Sequence, residues 1–207
     1  MLGLSNRIHF TDEQAMLLEA ADAFCRDKSP MSAVRAQLLT EHGFDRAVWD
    51  EMVALGWSGI AVPERFGGSG LSLAEAATIA EPMGRRLFAT PFASTQTFVQ
   101  AVLAGGSEAQ QADWLARVAS GGIATLAVLE AEGDWNLAHV QARASREGGA
   151  LVLSGAKALV CDAAAADLLM VSVALDGAPA LVVVEAAELP AGALRREVAI
   201  DETRRAY

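Results

Sequence analysis

The stretch of sequence with the most distinctive chemistry is rich in glycine and lies at positions 62–71, Val-Pro-Glu-Arg-Phe-Gly-Gly-Ser-Gly-Leu. Glycine-rich loops can present backbone N–H groups to a phosphate, which would suit a nucleotide or a cofactor. A phosphate loop, however, ends in Gly-Lys-Ser or Gly-Lys-Thr, and neither follows here. Gly67, Gly68 and Gly70 also suit backbone angles that other residues avoid. Taken alone, the run predicts a tight connection between two helices rather than a phosphate site.

The other candidates for catalysis or metal binding are scattered along the chain. His9, His42 and His139 have no Glu, Asp or Cys partners at metal-ligand spacing, so we expect surface or capping roles and no metal site. The two cysteines, Cys25 and Cys161, form no Cys-x-x-Cys pair, which is typical of a reduced cytoplasmic protein. We expect Cys161 to be a small buried thiol rather than a nucleophile.

Composition restricts the class of protein. The chain has 207 residues, 53% of them hydrophobic and 20% charged, which is enough to bury a core and too apolar for a disordered protein. Its net charge of −10 argues against nucleic acid or an anionic membrane surface as the main partner. Apolar stretches such as residues 163–175 are too short to cross a bilayer, and we expect neither a membrane span nor an export signal.

The first part of the chain has the periodicity of helices. Up to about residue 120, apolar residues recur at helical spacing behind polar residues that can cap a helix. Thr11 and Gln14 fit a capping box, Ser72 suits the start of another helix, and Pro82 and Gly84 should end or kink that helix. Further helices are predicted around Trp49 and over residues 31–39, 92–103 and 108–119. The tryptophans are expected to anchor the core: Trp49, Trp57, Trp114 and Trp135.

From Ile123 onward, short apolar runs alternate with turn residues, which is typical of strands. The predicted strands are residues 124–129, 140–144, 150–153, 168–173, 180–184 and 194–200. Glycines at 148–149 and the Asp176-Gly177 pair predict hairpin turns. The predicted fold is therefore α+β: an amino-terminal all-helical domain, residues 1–122, followed by a partial antiparallel β-sheet (barrel-like) domain, residues 123–207.

Several motifs, in order along the chain, resemble one family. Phe-Thr-Asp-Glu-Gln at 10–14, the stretch from Leu-Gly-Trp at 55–57 through the glycine-rich run to Ser72, and Glu-Pro-Met-Gly-Arg at 81–85 resemble the amino-terminal helical domain of acyl-CoA dehydrogenases. Ser-Gly-Ala-Lys at 154–157 and Asp-Glu-Thr-Arg-Arg at 201–205 resemble segments of that family's middle β-domain. The resemblance covers essentially the whole chain.

The resemblance implies a reaction. Members of the family hold FAD and an acyl-CoA thioester between a helical domain, a middle β-domain and a carboxy-terminal four-helix bundle. A glutamate removes the α-proton and a hydride passes from the β-carbon to flavin N5, which gives a trans-2-enoyl-CoA. That glutamate lies in the bundle, and the sequence stops at Tyr207, so we expect no catalytic residue in this chain. Glu64 and Glu130 are expected to be structural.

The first segment that the resemblance assigns to the flavin departs from the family pattern. It usually includes Thr-Glu-Pro-x-x-Gly-Ser-Asp and corresponds here to residues 129–136. Glu130 is retained, but Leu129 replaces the threonine hydroxyl and Trp135 replaces a small serine. Leu129 cannot donate a side-chain hydrogen bond to the flavin, and the acidic Asp134 beside Trp135 would repel a phosphate.

The second flavin segment, usually aromatic-Ile-Thr or aromatic-Ile-Ser, corresponds to Leu159, Val160 and Cys161. Leu159 could still pack on an apolar edge of the flavin, but no hydroxyl remains. The cofactor-binding candidates in both segments are Leu129, Glu130, Trp135, Leu159, Val160 and Cys161. The substitutions among them predict that FAD binding is weakened or lost.

Two functions remain open at this point. One is an acyl-CoA dehydrogenase-like flavoprotein for α,β-dehydrogenation of an acyl-CoA, truncated before the catalytic bundle. The alternative is a non-catalytic subunit or scaffold that pairs with a full-length relative. A different flavin reaction, such as that of an oxidase or a monooxygenase, is also open. The expected partners are an acyl-CoA and an acyl-CoA dehydrogenase subunit, in a homo- or hetero-oligomer, because a partial sheet leaves a strand edge exposed.

Overall fold

The computed structural model describes residues 10–201, 206 and 207, so His9 and most of the Asp-Glu-Thr-Arg-Arg motif lie outside the described residues. The α-helices in this part of the chain are α1 Asp12–Lys28, α2 Met31–Gln37, α3 Arg46–Ala54, α4 Leu73–Arg85, α5 Phe92–Gly105 and α6 Glu108–Ala119. The strands are β1 Ala124–Ala127, β2 Arg143–Glu147, β3 Ala150–Ser154, β4 Leu168–Leu175 and β5 Ala178–Glu185. The fold is α+β, as the sequence predicts.

Capping residues fix where α1 and α4 begin. The Thr11 hydroxyl accepts a hydrogen bond from the Gln14 amide at 3.1 Å, and the Gln14 side chain accepts one from the Thr11 amide. Ser72 and Glu75 form the same capping box at the start of α4. The Gln14 side chain also donates to the Glu75 carboxylate at 2.9 Å, so the two helix starts are tied together. Hydrogen bonds from Ser72 and then Gln14 lower the pKa of Glu75 to about 2.

Of the two residues predicted to end or kink α4, Pro82 does not end it, because the helix continues to Arg85, one residue after Gly84. Pro82 and Met83 are both buried in the core, and this packing outweighs the hydrogen bond that proline cannot donate. The carbonyl of Pro82 accepts from the Arg86 amide, and that of Met83 accepts from the Phe88 amide. The last turn of α4 is therefore both packed and capped.

The glycine-rich run forms the predicted tight connection, between α3 and α4. It folds back on the chain before it, since the Ser69 amide donates to the Gly59 carbonyl at 3.0 Å. Gly67 has a φ of +84°, which other residues rarely adopt. A Cβ atom on Gly68 would lie 2.2 Å from the Val62 carbonyl oxygen, so no larger residue fits there. Gly67 is therefore explained by its backbone angle and Gly68 by close packing of the backbone.

The sheet has five strands and is mixed and open, with β4 at its centre. β4 pairs antiparallel with β5 along its whole length, from Leu168 opposite Glu185 to Leu175 opposite Ala178. It pairs in parallel with β1 and, at its carboxyl end, with β2, which forms an antiparallel hairpin with β3. The prediction of a purely antiparallel sheet is therefore wrong for β1 and β2. Turn signals identify neighbours joined by hairpins, and parallel neighbours are joined by long segments that carry no such signal.

Two strand predictions also need correction. The strand expected at 140–144 begins only at Arg143, because the amides of Gln141 and Ala142 donate to a carboxylate instead of a neighbouring strand. Among the described residues, the run at 194–200 forms no strand, and its pairing is an isolated bridge between Glu197 and Ala206. Val198 in this run is largely exposed, so the apolar pattern there does not correspond to a buried face.

The main hydrophobic core contains residues from the helices and from the sheet, and a smaller cluster lies around Ala142, Ala144 and Val173. The largest fully buried side chains of the main core include Trp49, Met52, Ile79, Phe92, Phe98, Leu115, Ile123 and Leu168. The Trp49 indole donates to the Gly121 carbonyl at 2.9 Å, and the Thr95 hydroxyl hydrogen-bonds to the backbone of Ala124. These contacts fix β1, and with it the start of the segment that follows β1. Within the described ranges, no helix has both the length and the apolar character needed to span a membrane.

Candidate functional site

The two segments that the family resemblance assigns to the flavin lie side by side. The first follows β1 and the second follows β3. The Ala158 amide donates to the Leu129 carbonyl at 2.9 Å, which joins the segments at the backbone. The Lys157 ammonium reaches the Glu130 carboxylate at 2.7 Å, which joins them through side chains. The fold thus brings Leu129, Glu130 and the start of the second segment together.

Glu130 is the centre of a nearly buried polar network. Its carboxylate accepts hydrogen bonds from the amides of Gln141 and Ala142, at 2.8 and 2.9 Å, in addition to Lys157. Lys157 also donates to the Ser172 hydroxyl on β4 at 2.9 Å. The side chains of Glu130 and Lys157 are 14% and 8% exposed. Burial alone would raise the pKa of Glu130, but the bonds from Lys157 and the two amides outweigh it and hold the pKa below its ordinary value. The contacts of Glu130 are therefore those of a structural carboxylate and not those of a general base.

The loop between Glu130 and β2 uses its own side chains to satisfy its backbone. The Asn136 amide donates to the Asp134 carboxylate at 2.8 Å, and the Ala138 amide donates to the Asn136 side-chain oxygen at 3.1 Å. The second carboxylate oxygen of Asp134 lies 2.6 Å from His139 Nδ1. The Asn136 amide and then His139 lower the pKa of Asp134. The loop therefore holds the negative charge of Asp134 next to backbone N–H groups that are already hydrogen-bonded within the loop.

This loop lines an open cavity of about 200 Å³. The lining residues are Val128, Glu130, Glu132, Asp134, Asn136, Leu137, His139, Val140 and Gln141. Three of the lining side chains are carboxylates, and the one lining imidazole, that of His139, is paired with Asp134. Such a cavity repels phosphate and carboxylate groups.

The backbone of the second segment is also engaged within the chain. The Leu159 amide lies 3.3 Å from the Glu197 carboxylate, to which it donates. Val160 is buried, and it exchanges two backbone hydrogen bonds with Tyr207. The Cys161 carbonyl accepts from the Thr125 hydroxyl at 2.7 Å. Cys161 itself is exposed, so the prediction of a buried thiol is wrong. Its side chain lies at the surface because the segment packs through Val160.

Trp135 corrects a second prediction. Trp49 and Trp57 are buried as expected, and Trp114 is half-buried against Phe98. Trp135, in contrast, is 73% exposed. It lies in the acidic loop outside both hydrophobic clusters of the described residues. Trp135 belongs to the first segment, but its indole lies in solvent.

A second cavity, of about 260 Å³, was not anticipated from the sequence. It lies between the end of α4 and the start of α5 and is lined by Ala80, Met83, Gly84, Leu87, Phe88, Thr90, Phe92, Ala93 and Asp201. The only sequence signal was that apolar residues continue through the predicted helix break at Pro82. Its mostly apolar lining suits an apolar group. Among the described residues, no three His, Cys, Asp or Glu side chains form a group that could hold a metal ion.

Comparison with known proteins agrees with the fold. Residues 11–122 match the family described as acyl-CoA dehydrogenase, N-terminal domain. The chain belongs to the acyl-CoA dehydrogenase family. It is 33% identical over 118 residues to (2S)-methylsuccinyl-CoA dehydrogenase of Cereibacter sphaeroides, an alignment that covers 56% of this chain and 22% of that acyl-CoA dehydrogenase. It is 26% identical over 165 residues to mitochondrial isovaleryl-CoA dehydrogenase of Pongo abelii, covering 78% of this chain and 39% of that protein.

Solved acyl-CoA dehydrogenases extend the match into the sheet. A variant of the steroid ACAD Tcur3481-Tcur3483 has a TM-score of 0.84 and 28% identity, covering 94% of this chain and 54% of that chain. The ChsE4-ChsE5 complex from Mycobacterium tuberculosis has a TM-score of 0.76 and 25% identity, covering 86% of this chain and 48% of that chain. This chain thus spans about half the length of these solved relatives and less than half of the two curated ones.

The geometry of the two joined segments can be tested against FAD, the cofactor that membership of the acyl-CoA dehydrogenase family implies. FAD carries an anionic diphosphate and a ring system that needs hydrogen-bond donors. Here the donor at Asn136 is already engaged by Asp134, which stands where the family pattern has a glycine. Leu129 and Leu159 have no side-chain donor, and the adjoining cavity is acidic. The segments as they stand do not fit FAD.

Proposed function

We propose that this chain is a non-catalytic subunit of an acyl-CoA dehydrogenase complex. A partner chain supplies the flavin and the catalytic base for α,β-dehydrogenation of an acyl-CoA thioester. The relatives support this class of substrate, because (2S)-methylsuccinyl-CoA dehydrogenase and isovaleryl-CoA dehydrogenase are both named for acyl-CoA thioesters.

The observation that carries the proposal is the open edge of β5. Among the described residues, β5 pairs only with β4 and with no other strand. Residues 178–184 of this strand carry no charge, and Leu181 is about half exposed. An uncharged strand with an unpaired edge can accept a strand from another chain. Two similar solved structures carry two component names each, Tcur3481-Tcur3483 and ChsE4-ChsE5, which supports a partnered subunit.

The test is association with a full-length acyl-CoA dehydrogenase from the same organism. The two chains are expressed together, and light scattering with visible absorbance measures assembly and flavin content. We expect a complex that contains flavin. Leu181→Lys, which places a charge on the exposed face of β5, should weaken the complex at least tenfold. Leu39→Lys is the matched control, since Leu39 is an exposed leucine outside the sheet. A Leu181→Lys chain that assembles as well as wild type would contradict the role of β5.

A second candidate is a flavoprotein in which this chain itself holds part of the FAD. The hydrogen bond from Ala158 to Leu129 favours it, because the two flavin segments still meet. Purification of the isolated chain distinguishes the two candidates. Flavin absorbance in the isolated chain supports the second candidate, and so does flavin that the partner chain binds only when this chain is present. A partner that binds the same amount of flavin with and without this chain supports the first.

A further inference from the structure

We infer that residues 129–142 form a closed loop that this chain holds together with its own carboxylates, and that the carboxylates of Asp134 and Glu197, which engage amides of the two flavin segments, exclude FAD. The inference rests on the proposed function in one respect, because the flavin of the complex then belongs to the partner. The closure itself is a property of this chain alone. It follows from hydrogen bonds in the loop, from contacts of the neighbouring segment, and from the distribution of charge.

The first step is the position of the Glu130 carboxylate. Gln141 and Ala142 are consecutive residues, and both of their amides point at this carboxylate. Consecutive backbone N–H groups that converge on one point form an anion-binding concavity. Glu130 fills this concavity from within the chain, with Lys157 as its counter-ion. Glu130 and Lys157 match the glutamate and the lysine of the family pattern, so this ion pair closes the loop but does not by itself exclude FAD.

At two further places, a carboxylate of the chain accepts from a single backbone amide. Asp134 engages the Asn136 amide in the first segment, and Glu197 engages the Leu159 amide in the second. These two carboxylates thus occupy one backbone amide in each of the two joined segments. Each of them adds a negative charge at a point where a cofactor would otherwise find a donor.

The third step is the balance of charge. Residues 129–142 and 157–161 contain only two groups that can be cationic, Lys157 and His139. Lys157 is engaged by Glu130, and His139 by Asp134. Glu132 lines the same cavity and adds further negative charge. An incoming diphosphate would therefore meet carboxylates. The two groups of these segments that can be cationic, Lys157 and His139, each already have a carboxylate partner.

Hydrogen exchange of the full chain, with and without FAD, tests the inference. The amides of Asn136, Gln141 and Ala142 should be protected without FAD, and FAD should change neither their exchange nor its own fluorescence. Glu130→Ala should speed exchange at residues 141 and 142 roughly tenfold and leave residue 136 unchanged. Asp134→Ala, in the exposed part of the loop, should do the reverse.

The matched control is Asp176→Ala, which removes an exposed acid paired with Arg146 at 3.6 Å and should change none of the three amides. Saturable FAD binding by the wild-type chain overturns the inference, and so does unprotected exchange at residues 141 and 142. Association with the partner is measured separately. A chain that assembles and also binds FAD alone overturns this inference only, whereas a protected, FAD-free chain that never assembles overturns the proposed function only.

Discussion

Replacing Glu130 with alanine should destabilise the whole fold far more than replacing a comparable acid at the surface. The substitution removes the acceptor of three hydrogen bonds, from Lys157 and from the amides of Gln141 and Ala142. It also leaves the Lys157 ammonium, 8% exposed, without its counter-ion. Ser172 remains as a neutral partner for Lys157 and offsets part of this loss.

The magnitude follows from these contacts. Removing one partner of a buried ion pair costs about 3–5 kcal/mol, and the lower value applies because Glu130 keeps some contact with solvent. We therefore expect Glu130→Ala to lower the free energy of unfolding by about 3 kcal/mol. Asp176→Ala breaks the Arg146 pair, whose side chains are 68% and 74% exposed. Exposed pairs of this kind contribute about 0.5 kcal/mol.

Urea unfolding at neutral pH, followed by circular dichroism, measures both variants. With a denaturant slope of about 2 kcal/mol per M, the midpoint of Glu130→Ala should fall by about 1.5 M and that of Asp176→Ala by about 0.3 M. Lys157→Met should lie between them, because the Glu130 carboxylate keeps its two amide donors. If Glu130→Ala and Asp176→Ala shift the midpoint equally, the network around Glu130 does not stabilise the fold as described.

Four further predictions concern other parts of the molecule. Gly68→Ala should destabilise the fold by about 3 kcal/mol, since its Cβ would meet the Val62 carbonyl at 2.2 Å. Gly67→Ala should cost about 1 kcal/mol, because only the positive φ of Gly67 opposes a side chain there. Equal urea midpoints for the two variants would contradict this. Burial raises the pKa of Cys25 to about 12, so a thiol reagent should modify only the exposed Cys161 in the native chain and both cysteines in urea. In the folded chain, the pKa of Glu130 lies below its ordinary value of 4.5. The difference in unfolding free energy between wild type and Glu130→Gln should therefore be constant above pH 4.5 and shrink as the pH falls through the lowered pKa; a constant difference down to acid pH would contradict the lowered pKa of Glu130. The isolated chain should be oligomeric or poorly soluble because of the β5 edge, and a stable monomer by light scattering would count against that.

The helices could be predicted closely because their signals are local. Thr11 and Gln14, and likewise Ser72 and Glu75, specify a helix start within four residues of sequence, and the structure contains both capping boxes. The helix at 108–119 has the predicted bounds. Pro82 was misread because burial in the core, which is a tertiary effect, determines where α4 ends.

The sheet could be predicted only in part. The hairpin turns at 148–149 and 176–177 follow from glycine, since both lie between antiparallel neighbours. The parallel pairing of β1 with β4 depends on contacts between residues about 40 positions apart, which no local pattern specifies. The candidate site was located by resemblance, but its closure was not foreseen. The amides of residues 141 and 142 donate to Glu130 across the loop between them, whereas the sequence shows only that an acid precedes this loop.

If this chain is a subunit as proposed, the flavin of the complex is bound by the partner chain. The most direct test is the flavin content of the isolated chain and of its complex with a full-length acyl-CoA dehydrogenase, measured by visible absorbance after purification. We expect the isolated chain to be colourless and the complex to contain one flavin per partner chain and none for this chain. An isolated chain that purifies with stoichiometric FAD would contradict this expectation.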